Sequence, residues 1–89
     1  MRFVAIHFIQ QYNKTKGEKM VLDAEIIGKN IRKIRKSANK SQEAFAEKLE
    51  VSTRTVSNIE NGVVVPSLQT VANISENFNC SVDSIIRKD

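Results

Sequence analysis

An 89-residue chain with 40% hydrophobic and 27% charged residues fits one small globular domain and is not expected to hold a second folded sensor or catalytic unit. Its formal charge of +4 is uneven: Arg2, Lys14, Lys16 and Lys19 against Glu18 leave +3 on residues 1–19 and only +1 on residues 20–89, so an anionic partner must be met by a local patch. A lone cysteine, Cys80, and a lone histidine, His7, far apart in sequence, exclude an internal disulfide and supply no metal-ligand set; the expected setting is reducing and cytoplasmic, with no metal and no cofactor.

The chain opens on an apolar run, Phe3-Val4-Ala5-Ile6-His7-Phe8-Ile9. Seven residues are too few to span a bilayer, which needs about 20. Polar residues follow without a small-residue cleavage site, so the run is a poor signal peptide. Residues 1–22 read as an N-terminal extension and residues 23–89 as the domain. Three readings of the extension stay open. It is a flexible tail, a short element packed on the domain or on a second subunit, or an artefact of start-site choice with translation beginning at Met20.

From Lys29 to Lys40 there are six cations and no acid. Wound as a helix, this stretch puts Ile27, Ile31, Ile34 and Ala38 on one narrow stripe and Lys29, Lys33, Lys36 and Lys40 opposite. Arg35 sits at the edge of the apolar stripe. Asn39 tolerates the left-handed backbone that ends helices. The cationic stripe reads as a solvated face, acting by long-range attraction or by binding an acidic partner.

Ser41 is a fitting N-cap for a second helix, Gln42–Leu49, with Phe45, Ala46 and Leu49 as its buried face. Glu50-Val51-Ser52 breaks it, and Ser52 can cap the next. The third helix, residues 53–61, has only Val56 and Ile59 as apolar residues, about 60° apart on the wheel. Its other face collects Thr53, Arg54, Ser57, Asn58 and Asn61: hydrogen-bonding side chains, one positive charge and no carboxylate. Glu60 lies at the edge of the buried stripe, and Gly62 stands where helices commonly stop. Pro66-Ser67 announces a fourth helix with Leu68, Val71, Ala72, Ile74 and Phe78 at helical spacing, and Asn79 can stop it. Ser81 caps a short last helix carrying Val82, Ile85 and Ile86. Phe45, Val56, Leu68 and Phe78 are the expected core.

A helix that reads a major groove needs an exposed hydrogen-bonding face free of acids, because base edges present donor and acceptor patterns and phosphates repel carboxylates. It also needs a preceding helix held steeply by a short turn. Residues 42–61 meet both conditions. Ser41-Gln42-Glu43-Ala44-Phe45-Ala46, Leu49, Val51-Ser52, Thr55-Val56-Ser57, Ile59-Glu60-Asn61-Gly62 and Pro66-Ser67-Leu68 fall at fixed offsets that resemble the Cro/phage-repressor helix-turn-helix family, over about Ile27 to Ile86.

That resemblance implies an all-α bundle of five short helices of the lambda-repressor-like type, preceded by the N-terminal extension. It implies a sequence-specific DNA-binding regulator, acting as a repressor and usually as a homodimer on operator DNA. Gln42 is then a phosphate contact that also supports the reading helix. Ser52, Thr53, Arg54 and Asn58 face the groove, and Ser57, on the same polar face of the wheel, joins them as a DNA-binding residue. Asn61 and the Gly62 turn meet the backbone, and Arg35 and Glu60 form an ion pair joining the first helix to the third. Arg54 is the residue expected to read a base, by a bidentate contact to guanine. The dimer surface implied lies near Val82–Arg87, unless the Phe3–Ile9 segment supplies it.

The sequence departs from the family pattern at three places. Glu50 stands where the turn commonly has glycine, Lys40 replaces a usual leucine, and Val63-Val64-Val65 replaces a turn that is often basic. The three valines suggest a packing or partner surface. Two other functions fit the same residues: the antitoxin of a toxin–antitoxin pair, with a toxin protein as partner, or a protein-interaction module that has lost DNA binding. An enzyme is not expected, since no histidine–carboxylate or cysteine–histidine constellation and no phosphate-cradling glycine loop occurs.

Overall fold

The chain's capping residues set its architecture. In the computed structural model, which describes residues 22–88, five helices follow one another: α1 Ala24–Ser37, α2 Gln42–Leu49, α3 Thr53–Glu60, α4 Leu68–Asn77 and α5 Val82–Ile86. Among the described residues there is no strand. Each helix begins at a side chain that accepts from its own first turn. Asp23 accepts from the amides of Glu25 and Ile26, Ser41 from Ala44, Ser52 from Thr55, Ser67 from Thr70 and Ser81 from Ser84. Each such cap satisfies donors that a helix start leaves without a partner, a contribution of about 1 kcal/mol.

The helix ends are equally regular. Asn39, Glu50, Gly62 and Asn79 all adopt positive φ, at 57°, 59°, 75° and 52°. After α1, Asn39 N donates to Lys36 O and Lys40 N to Arg35 O. After α2, Glu50 N donates to Glu47 O and Val51 N to Ala46 O; after α3, Gly62 N donates to Ile59 O and Val63 N to Asn58 O. This paired pattern is the Schellman closure, which turns the chain sharply and uses the last carbonyls. Short helices joined by such tight turns cannot run on past one another, so they fold back around one core.

That core is Ile27 and Ile31 of α1, Phe45, Ala46 and Leu49 of α2, Val56 and Ile59 of α3, Val71 and Ile74 of α4, and Ile85 of α5. The Phe45 and Phe78 rings lie 4.9 Å apart, Phe78 being only half-buried. Asn30 fastens the two ends of the fold: its Nδ2 donates to the carbonyls of Ile85 at 2.9 Å and Arg87 at 2.8 Å. Gly28 lets α1 lie directly on α3, for a Cβ there would stand 2.3 Å from the Ile59 carbonyl oxygen.

Several expectations need correcting. The first helix starts at Ala24 and ends at Ser37, so Lys40 lies beyond it and is not part of a helical stripe. The third ends at Glu60, with Asn61 as its cap rather than its last residue. Leu68 is not core: it is 82% exposed. On the wheel of α4 the buried residues are Thr70, Val71 and Ile74, and Leu68 lies roughly 110° from their middle. Ala72 is likewise exposed. His7 and the Phe3–Ile9 run lie outside the described residues. Among the described residues no helix is long and apolar enough to cross a membrane.

Candidate nucleic-acid interface

The turn between α2 and α3 decides what α3 presents. Glu50 takes the left-handed conformation at φ 59°, ψ 41°, and Val51 N donates back to Ala46 O at 3.0 Å. Two residues later Ser52 opens α3. Its Oγ accepts from Thr55 N at 3.0 Å and shares a hydrogen bond with Thr55 Oγ1 at 2.8 Å. Val56, Ile59 and Glu60 are buried against the other helices. With that side committed, Ser52, Thr53 and Arg54 project into solvent at the start of α3, and Asn61 does so past its far end. Ser57 and Asn58 are half-exposed between them. The two ends of this face are about 12 Å apart at 1.5 Å per residue, within the span of one groove.

The far end is anchored by ions. Arg35 reaches from α1 to grip the Glu60 carboxylate twice, Nε to Oε2 at 2.6 Å and Nη2 to Oε1 at 3.0 Å. Its Nη1 donates to the Lys40 carbonyl at 2.8 Å. Gln42, first residue of α2, donates from Nε2 to Glu60 Oε1 at 3.0 Å. The three side chains thus tie α1, α2 and α3 together at one point, with Glu60 only 1% exposed along its side chain. Burial alone would push the Glu60 carboxyl up. The hydrogen bonds from Arg35 and Gln42, with the charges of Arg35 and Arg32, outweigh it and hold Glu60 below the usual carboxylate range. The Arg35 guanidinium is raised by its hydrogen bond to Glu60, against the opposing effect of burial and with the added pull of the Glu60 charge.

Gln42, Arg35 and Glu60 are therefore brought together, while Ser52, Thr53 and Arg54 form a separate group at the opposite end of α3. Asn61 Nδ2 donates to Ser57 Oγ at a long 3.4 Å, which joins two members of the polar face. Val63, Val64 and Val65 follow the Gly62 turn and are all exposed. Sequence reasoning missed Gly28 and Asn30. Gly28 carried a signal, since a glycine inside an apolar-periodic helix costs about 1 kcal/mol unless a close approach needs it. Asn30 carried none: its carbonyl partners are 55 and 57 residues away. Among the described residues no group of three metal-ligating side chains occurs.

Known proteins share this arrangement of two short helices joined by a turn. The helix-turn-helix family profile matches residues 31–85. The chain belongs to the helix-turn-helix family. It is 34% identical over 64 residues to an uncharacterized HTH-type transcriptional regulator, YazB of Bacillus subtilis (strain 168), covering 72% of this chain and 93% of that protein. It is also 34% identical over 64 residues to the antitoxin PezA of Streptococcus pneumoniae, a match that spans 72% of this chain and only 40% of PezA. Among solved helix-turn-helix structures, the P22 c2 repressor in complex with a synthetic operator is similar, with a TM-score of 0.67 at 26% identity, covering 72% of this chain and 97% of that one.

Proposed function

We propose that the protein is a sequence-specific DNA-binding transcriptional regulator, a repressor that inserts α3 into the major groove of an operator. The observation that carries this reading is the α3 face itself. Ser52, Thr53, Arg54, Ser57, Asn58 and Asn61 offer donors and acceptors without one carboxylate, on a helix whose other side is fixed in the core. Arg54 reads a guanine by two parallel hydrogen bonds, and the shorter side chains contact neighbouring bases and sugars. Gln42 spends one amide hydrogen on Glu60 and keeps the other for a phosphate, while Asn61 meets the backbone beyond the far end of α3. Residues 23–89 form the DNA-binding domain, residues 1–22 an extension outside it, and the setting is cytoplasmic. The working unit is a homodimer paired through α5, where Val82 is exposed.

The test is equilibrium binding of wild type and Arg54→Ala to the gene's own upstream DNA, with an unrelated duplex as control. Wild type should prefer the upstream DNA, and Arg54→Ala should lose about 1–3 kcal/mol of that preference. Equal binding of both duplexes by wild type would defeat the reading. The match to PezA favours a second reading, in which the same DNA-binding domain serves an antitoxin. A small toxin protein co-purifying in fixed stoichiometry would establish it.

A further inference from the structure

The helix-turn-helix stretch is not itself cationic. Residues 41–62 hold Glu43, Glu47, Glu50 and Glu60 against Lys48 and Arg54, a net charge of −2. Glu60 is neutralised by Arg35, but Glu43 is exposed beside Gln42 and Glu50 is exposed in the turn. The phosphates of a duplex approaching this stretch meet three exposed carboxylates, Glu43, Glu47 and Glu50, against two exposed cations, Lys48 and Arg54. The remaining attraction must come from outside the motif, and α1 holds the cations.

The packing of α1 sorts them by edge. One edge lies on α3: Gly28 abuts the Ile59 and Glu60 carbonyls, Arg35 holds Glu60, and the Glu25 side chain lies against the position of Gly62. Arg32 is four residues after Gly28 and three before Arg35, so it occupies that same edge. It is exposed, and among the described residues no ion pair at contact distance holds it. The other edge faces α5, where Lys29 and Lys33 line a hollow of about 230 Å³ with Ile26, Asn30 and Lys88.

Resting on the DNA-binding reading, we infer that Arg32 is a phosphate-contacting residue, the cation that α1 lends to the interface beside Gln42 and Asn61. Its position follows from the contacts of its neighbours on α1. Its need follows from the charge of the motif it borders. The closeness of its charge to Glu60 agrees with this placement. Arg35 and Gln42 make the hydrogen bonds to the Glu60 carboxylate, while Arg32 acts on it only through its charge, so Arg32 can turn its guanidinium donors to a phosphate. It adds affinity without reading sequence.

Binding of wild type, Arg32→Ala, Arg32→Lys and Lys29→Ala to the upstream and an unrelated duplex, from about 50 to 200 mM salt, tests the assignment. Arg32→Ala should lower the slope of log affinity against log salt by about 0.9 and weaken both duplexes alike. Arg32→Lys should restore the slope, and Lys29→Ala should leave it as in wild type. Thermal unfolding should be unchanged in Arg32→Ala, which separates contact from folding. An unchanged slope in Arg32→Ala, or an equal fall in Lys29→Ala, would overturn the contact while leaving the DNA-binding reading intact. Absence of any salt-sensitive binding by wild type would overturn both.

Discussion

Glu60 is the residue on which three helices converge, and its burial makes it sensitive to what surrounds it. Removing one partner of a buried pair leaves the other charge without compensation, whereas replacing both by apolar groups removes the penalty together with the attraction. Arg35→Met should therefore lower the unfolding free energy by about 3 kcal/mol in urea denaturation, and Arg35→Met with Glu60→Leu should recover most of it. Equal losses in the single and double variants would mean that the pair is not the source. Acid gives an independent check. The native Glu60 carboxyl lies below its ordinary value, so the native state favours the ionised form. That contribution is complete above the unfolded value of about 4.3 and disappears as the pH falls through the lower native value. Melting temperature should therefore fall more steeply below about pH 4 in wild type than in Glu60→Gln.

At the scale of an element, the turn before α3 shows what the sequence made legible and what it hid. All four N-caps made of serine were readable, because a serine before an apolar-periodic run has one economical use there. The Asn39, Gly62 and Asn79 stops were readable for the corresponding reason, as residues that tolerate positive φ. Glu50 does the same work with an ordinary side chain, at φ 59°. The short connection of the motif imposes that conformation against local preference. Glu50→Asn should relieve it, raising stability by about 1 kcal/mol by thermal or urea unfolding. No gain in stability would show that Glu50 carries no strain in this turn. The start of α1 was hidden for a different reason. The run of cations from Lys29 draws attention to a face, while Asp23, Ala24 and Gly28 fix the helix through a cap and a backbone contact that no periodicity displays. Leu68 was misplaced because it sits in the first position of α4, beyond the rim of the core, where nothing in the described chain covers it.

Across the whole molecule, the legible part is the hydrophobic order of short helices, and the hidden part is long-range. Five capped amphipathic segments with tight stops leave few ways to close a core, and the family resemblance selects one. Neither pattern nor resemblance revealed that Asn30 clasps the carbonyls of residues 85 and 87, or that charge is divided between the edges of α1. The site is legible to the same degree. The polar face of α3 can be read from spacing alone, whereas the anchoring of Gln42 by Glu60 depends on three helices meeting. In the proposed role, α3 is held firmly by the core so that its exposed face reads bases. Selection of duplexes from a random pool by wild type and by Arg54→Ala tests it most directly. Wild type should enrich a two-fold-symmetric site with half-sites about one helical turn apart and a fixed guanine in each, and Arg54→Ala should keep the symmetry but lose the guanine. Enrichment of no common sequence, or of the same guanine by both proteins, would contradict it.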